Sequence, residues 1–311
     1  MNRLTRRRFV TIAAAAAGAL ALPAGPAARP SARWSGVALG APASIVIDGL
    51  EPAAAAAAVA AARAEIGRLE ALFSLYRPDS AITRLNRGGH LDRPDGDFLA
   101  LLSLARALWR ASGGAFDPTV QPLWRALSAG GSAGRGRPLA AARAAIGFEH
   151  VRFSPERVDF ARAGMAITLN GIAQGYITDL VAELLRARGL GHVLVDIGEI
   201  AAIGGRDDAT PWPVAIRRLR PAPHIVSRVT LADRALATSE PLAATLDRAG
   251  TLGHILDPGD LARAPRHALV TVESGRAALA DGLSTAFCLM DDRAIAAALA
   301  TFPDCSLVHI E

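Results

Sequence analysis

Five short clusters in this chain carry residue types that could do chemistry. In Gly253-His254-Ile255-Leu256-Asp257-Pro258 a histidine stands beside an acid–proline turn. Histidine ionises near neutral pH, so His254 could act as a general base; a hydrogen-bonded structural role is the plainer reading. In Ala280-Asp281-Gly282-Leu283-Ser284-Thr285, Asp281 and Thr285 are four apart and share one face of a helix. A carboxylate and a hydroxyl there are hard oxygen donors of the kind Mg²⁺ takes, although an ordinary polar helix start has the same composition. Thr168-Leu169-Asn170-Gly171-Ile172-Ala173-Gln174-Gly175-Tyr176 reads as a strand feeding a Gly-containing turn at a helix start. Free N–H groups and the positive dipole end favour phosphate oxygens there, but neither the P-loop nor the GxGxxG spacing is present. Gly113-Gly114-Ala115-Phe116-Asp117-Pro118-Thr119-Val120 ends a helix in two glycines that let the backbone approach a flat or bulky group, beside an aromatic and an acid. Phe73-Ser74-Leu75-Tyr76-Arg77-Pro78-Asp79-Ser80, with Asn86 beyond it, runs from a helix into a polar turn, placing Tyr76, Ser80 and Asn86 on a rim.

The elements that must position these clusters are legible in outline. A Pro/Ala/Ser leader over residues 29–44 runs into a first strand at Ser44–Asp48. Apolar residues at helical spacing predict helices over Pro52–Leu72, Asp95–Ser112, Gly171–Arg188 and Arg276–Met290. Strands are expected at Val193–Ile197, Val214–Ile216, Val226–Leu231, Leu269–Val272 and Ser306–Ile310, with a mobile Gly/Ser/Arg loop over Gly130–Pro138. Helices and strands mix without regular βαβ alternation, which favours an α+β fold.

The 311 residues bury ample core without disulfide staples. The formal charge is +5, but Arg3, Arg6, Arg7 and Arg8 precede any acid. Removing them leaves 30 basic against 29 acidic residues, so a nearly neutral body makes no case for nucleic acid. Thr5-Arg6-Arg7-Arg8-Phe9-Val10, an apolar run over Ile12–Leu22 and the small residues to Ala28 read as a twin-arginine signal at 1–28, leaving a mature domain at 29–311. The run is about half of what spans a bilayer, so no stable transmembrane anchor is expected and the mature protein is placed in the periplasm. Cys288 and Cys305 sit in apolar contexts and could be bridged or remain two buried thiols.

Taken together and in order, the segments FSLYRPDSAITRLN, GGAFDPTVQPLW, LNGIAQGYITD, VLVDIGEI, ATS, HILDP and ADGLSTAFCLM resemble the ApbE family of FAD:protein FMN transferases, from about Gly36 to the C-terminus. The exported branch that includes NosX, which serves the flavoprotein NosR of nitrous-oxide respiration, is the most similar. The resemblance implies two intimately packed lobes with the flavin cleft between them. It further implies FAD as substrate, Mg²⁺ on its pyrophosphate, attack by a threonine hydroxyl of an acceptor flavoprotein on the FMN phosphorus, and release of AMP. Carried over by motif, Leu39, Tyr76, Ala115, Phe116, Asp117, Thr168, Gln174 and Leu256 would line the FAD site. The Gly171 carbonyl, Asp281 and Thr285 would hold the metal, with Ser284 nearby, and His254 would deprotonate the threonine.

Several positions depart from the family pattern. Thr168 stands where aspartate is usual and Gln174 where lysine or glutamate is common; the double glycine after the Val193–Ile197 strand is reduced to Gly198-Glu199. Glu240-Pro241 replaces the glycine expected after Ala237-Thr238-Ser239, and Gly259-Asp260-Leu261-Ala262-Arg263 replaces a short basic turn ending Thr-Gly. Two other functions therefore stay open at this point: an Mg²⁺-dependent FAD pyrophosphatase, with water in place of threonine, and a non-enzymatic flavin-binding assembly protein.

Overall fold

The computed structural model describes residues 19–21, 30–130, 137–247, 249–260 and 263–311. Residues 131–136 of the expected Gly130–Pro138 loop and most of the signal segment lie outside them, while Gly130 ends one helix and Arg137 and Pro138 begin the next. The strands are β1 (Ala19–Ala21), β2 (Ser31–Ala38), β3 (Ala41–Asp48), β4 (His90–Asp92), β5 (Val151–Phe153), β6 (Arg157–Phe160), β7 (Val193–Asp196), β8 (Ile200–Ile203), β9 (Trp212–Arg218), β10 (His224–Leu231), β11 (Ala235–Ser239), β12 (Val270–Ser274) and β13 (Ser306–Ile310). The helices are α1 (Pro52–Phe73), α2 (Ala81–Gly88), α3 (Gly96–Ala111), α4 (Gln121–Gly130), α5 (Arg137–Ala144), α6 (Ala173–Ala187), α7 (Ala277–Phe287) and α8 (Asp292–Thr301).

Seven strands form one antiparallel sheet in the order β13-β12-β11-β8-β7-β3-β2. Alternate residues point to opposite faces, and the sequence uses both. Ile45, Ile47, Val193 and Val195 face the helices in the main core, while Val46 and Leu194 face the β9–β10 hairpin through Trp212, Val214 and Ile216. Burial on both faces explains why Val193-Leu194-Val195 reads as a continuous apolar run. A small sheet, β4-β6-β5, sends Leu91, Val151 and Val158 into the same main core as the large sheet's Ile45 and Val195. The two lobes thus share one interior, and the fold is α+β.

Helices α1, α3 and α6 fall within two residues of expectation at each end, and α7 ends three residues before the expected Met290. Asp95 caps α3 by accepting from Asp97 N–H at 2.9 Å. Four differences have physical reasons. The leader contains a full strand, β2, whose apolar signal is weak because it buries mainly Ala32 and Ala38. Trp34 lies over Gly36, where a Cβ would stand 2.3 Å from the indole. Short helices at α2 and α8 were not foreseen, since each rests on one cap: Ser80 accepts from Thr83 N–H and Asp291 from Ala294 N–H. Residues 165–169 are not a strand. Instead the Asn86 amide imitates a strand partner, bonding both the N–H (2.7 Å) and the carbonyl (2.8 Å) of Ile167.

The apolar run at Ile12–Leu22 contributes the three-residue strand β1, which pairs antiparallel with β9. Both cysteines are free and buried. Among the described residues, no helix is long and apolar enough to cross a membrane.

Candidate active site

One cavity collects nearly every residue singled out from the sequence. Its walls include Leu39, Tyr76, Ala115, Phe116, Asp117, Thr168, Gly171, Gln174, His254, Leu256, Asp281 and Thr285, drawn from six separate stretches of chain. Leu39 sits at the β2–β3 turn with φ +48°, a conformation costly for a branched side chain. A hydrogen bond from its N–H to Glu70 Oε1, 2.7 Å, holds it there. The Asn86 clamp on Ile167 seats Thr168, and Thr168 N–H in turn donates to Pro118 at 2.8 Å, joining two walls.

The corner formed by α6 and α7 is the tightest part. Asp179 on α6 accepts from the N–H groups of Ala277 (2.6 Å) and Ala278 (3.0 Å), so it caps α7 from outside that helix. Burial nevertheless pushes its carboxyl up to about 6. Gly175 lets the two helices close up, since a Cβ there would stand 2.5 Å from the Ala277 carbonyl oxygen. Its N–H donates to Asp281 Oδ2 at 3.2 Å. Asp281 is 4% exposed, and among the described residues its other oxygen has no donor and no basic side chain pairs with it. Burial and the nearby Asp179 charge raise its pKa. Glu199, also on the cavity wall, is raised by burial and by Asp281 and Asp196, and burial pushes Asp196 up to about 7.

A corner of this kind suits a cation. Buried carboxylates without a basic partner gain a counter-charge when one binds. The Thr285 hydroxyl stands close to Gly171: a Cβ on Gly171 would lie 3.2 Å from Thr285 Oγ1. One carboxylate, one hydroxyl and one carbonyl are oxygen donors suited to Mg²⁺ with water in the remaining positions. Among the described residues no cluster of three or more His, Cys, Asp or Glu side chains offers an alternative metal cage.

His254 lines the same cavity. Its backbone N–H donates to the carbonyls of Pro241 and Ala244, both at 3.1 Å, and its Nδ1 lies 3.3 Å from the Ala244 carbonyl. A carbonyl only accepts, so Nδ1 carries the proton and Nε2 keeps its lone pair. Burial lowers the ring's pKa, which keeps it neutral near pH 7.

The structure adds detail at three of these positions. Ser284 lies behind the wall, fully buried, donating to the Asp281 carbonyl at 3.0 Å and paired with Ser239 Oγ at 2.8 Å. It is not among the residues lining the cavity, whereas Ser239 is. Ser80 is buried as the α2 cap, not on a rim. Asp117 reaches the cavity, but Oδ1 accepts from Thr119 N–H and Oγ1 (2.8 and 2.5 Å) and Oδ2 from Phe148 N–H (3.2 Å). That carboxylate shapes the loop that presents Phe116.

Sequence reasoning missed Trp124 and Gln121 on α4, and Ser239 and Glu240 at the end of β11. The ATS segment was the one available signal for Ser239. The reduced glycine pair has a packing consequence. Gly198, at φ +92°, lies so close to Gln174 that a Cβ would stand 2.3 Å from Nε2, an amide nitrogen with no hydrogen-bond partner among the described residues.

Comparison with known proteins agrees with this geometry. A curated FAD:protein FMN transferase of Vibrio cholerae is 30% identical over 72% of this chain and 71% of its own length. One from Haemophilus influenzae is 28% identical over 73% of this chain and 71% of its own. Among solved structures, the flavin transferase ApbE of Vibrio cholerae superposes with TM-score 0.75 at 26% identity, covering 88% of this chain and 92% of that one. The apo form of the Pseudomonas stutzeri flavinyl transferase ApbE gives 0.73 at 29% identity, over 90% and 91%. With the family pattern matched across residues 39–308, the chain belongs to the ApbE family.

Proposed function

We propose that this flavin transferase moves FMN from FAD to a threonine hydroxyl of a periplasm-facing acceptor flavoprotein, with Mg²⁺ at the α6–α7 corner. The observation that carries the reading is the convergence, in one cavity, of a histidine whose Nδ1 faces a backbone carbonyl and an oxygen-lined corner containing a buried carboxylate with no basic partner among the described residues.

The residues divide the work. Phe116, Leu39 and Leu256 offer apolar surface to the flavin or adenine rings, and the Gln174 amide offers an unspent donor. Gly171, Asp281 and Thr285 would hold Mg²⁺, which when bound neutralises pyrophosphate charge. His254 Nε2 accepts the proton of the acceptor threonine. The threonine oxygen bonds to the FMN phosphorus, the bond from that phosphorus to the bridging oxygen breaks, and AMP leaves with that oxygen. A threonine hydroxyl is a weak nucleophile at neutral pH, so a positioned base is worth about 10²–10⁴ in rate.

The test is an acceptor domain incubated with protein, FAD and Mg²⁺. A fluorescent acceptor band that survives denaturing electrophoresis supports transfer; no band overturns it. AMP appearing without any acceptor would instead favour hydrolysis. The reading of residues 1–28 as a twin-arginine signal adds export of the 29–311 body, and the NosX-like segments favour an acceptor resembling NosR. Cell fractionation of an Arg6→Lys, Arg7→Lys double variant should find the protein retained in the cytoplasm; normal periplasmic yield contradicts export by that route.

A further inference from the structure

The turn that carries His254 is fastened by a buried carboxylate that the proposed chemistry does not use. Glu240 is 5% exposed and follows the last residue of β11. Its Oε2 accepts from Leu219 N–H at 2.7 Å and its Oε1 from Arg220 N–H at 2.9 Å, two consecutive amides just beyond β9. Its own carbonyl accepts from Ala243 N–H at 2.9 Å, closing a turn over residues 240–243. The residues of this turn and the one after it build the histidine's seat. Pro241 and Ala244 both accept from His254 N–H, and Ala244 also faces Nδ1. Gly253 packs beneath them so closely that a Cβ would stand 2.3 Å from the Pro241 carbonyl oxygen.

The chain of contacts therefore runs from β9 through Glu240 to the carbonyls that choose the tautomer of His254. We propose that Glu240 is a positioning residue for His254. It moors the 240–244 turn to the β9–β10 hairpin and so keeps the Ala244 carbonyl on Nδ1 and the lone pair on Nε2. Side-chain type matters here. Two adjacent N–H groups converge on one place, and a carboxylate can accept both. Glutamine can accept one and must turn an NH₂ toward the other. Alanine leaves both amides without their acceptor and the turn without its mooring. The inference rests on the reading of His254 as the base, so its test needs a readout independent of transfer.

That readout is the ¹⁵N spectrum of the histidine rings in the full-length, FAD-free protein, with His254 assigned by its loss in His254→Gln. The wild type should show the neutral Nδ1–H tautomer. Glu240→Ala should show a mixed or altered ring signature, and Glu240→Gln an intermediate one. In single-turnover transfer, Glu240→Ala should lose about 10²-fold in rate, the scale of a misplaced catalytic group. Because Glu240 also lines the cavity, FAD affinity is measured alongside and should fall by clearly less than the rate. An unchanged ring signature in folded Glu240→Ala, or a rate loss matched by an equal loss of FAD affinity, overturns the proposal. Should the alanine variant not fold, an unchanged signature in Glu240→Gln overturns it equally. A wild type that transfers no FMN while its ring signature follows Glu240 would sink the proposed activity and leave this inference standing.

Discussion

His254 and Asp281 face the same cavity, and burial acts on them in opposite senses. Burial disfavours charge, so it lowers the imidazole's pKa and raises the carboxyl's. For the histidine this is useful, because only the neutral ring accepts a proton. The rate of transfer should therefore rise with pH through the ring's pKa and level off above it. The acid limb should have its midpoint below the ordinary histidine value of 6.5, read from single-turnover rates across pH. A midpoint above 7 would mean that another group governs the step. For the aspartate, burial is costly until a cation arrives. Added Mg²⁺ should raise the thermal midpoint of the FAD-free protein, and Asp281→Ala should abolish that rise. A full Mg²⁺ shift in the variant would move the metal elsewhere. His254, Asp281 and Thr285 were legible as sequence clusters because each lies in a short local motif. The burial that sets their ionisation was not, since it comes from walls contributed by distant segments.

Helix α7 shows why an element can be legible while its placement is not. Its apolar spacing announces a helix, and its span falls inside the Arg276–Met290 expected. What holds it in place comes from α6: the Asp179 cap lies 98 residues away along the chain and the Gly175–Asp281 hydrogen bond spans 106. Neither Gly175 nor Asp179 has a local pattern that tells it from an ordinary helical residue. The structural demand is nonetheless strict. Gly175→Ala would push a methyl against the Ala277 backbone and should cost about 1–3 kcal/mol of stability, with loss of the Mg²⁺-induced thermal shift. A variant that melts like wild type and keeps the shift would show that the helices can part without disturbing the corner. Asn86 teaches the same lesson. It was placed on a rim by its sequence neighbourhood, yet its amide serves as the strand partner of Ile167. Strand β2 was missed because small residues fill its buried positions.

At the scale of the whole molecule, the seven-stranded sheet and its helices form one interior that also includes the small sheet. Leu39 and Phe116 on the cavity wall belong to that core, while Leu256 and Trp124 pack in a smaller separate cluster. The shared core also explains why the family pattern extends over residues 39–308 and not over a single motif. The departures at Gln174, Gly198-Glu199 and Glu240 are accommodated within it: an unspent amide, a close glycine contact and a carboxylate moored to two amides. The central claim is that this assembly joins FMN to a threonine of another chain through His254. Intact-mass analysis and peptide mapping of an acceptor domain, after incubation with FAD, Mg²⁺ and either wild type or His254→Ala, test it most directly. The account predicts one FMN bound through phosphate to a single threonine with wild type, and labelling slower by about 10²–10⁴ with the variant. An unlabelled acceptor, or equal labelling by the two proteins, would contradict it.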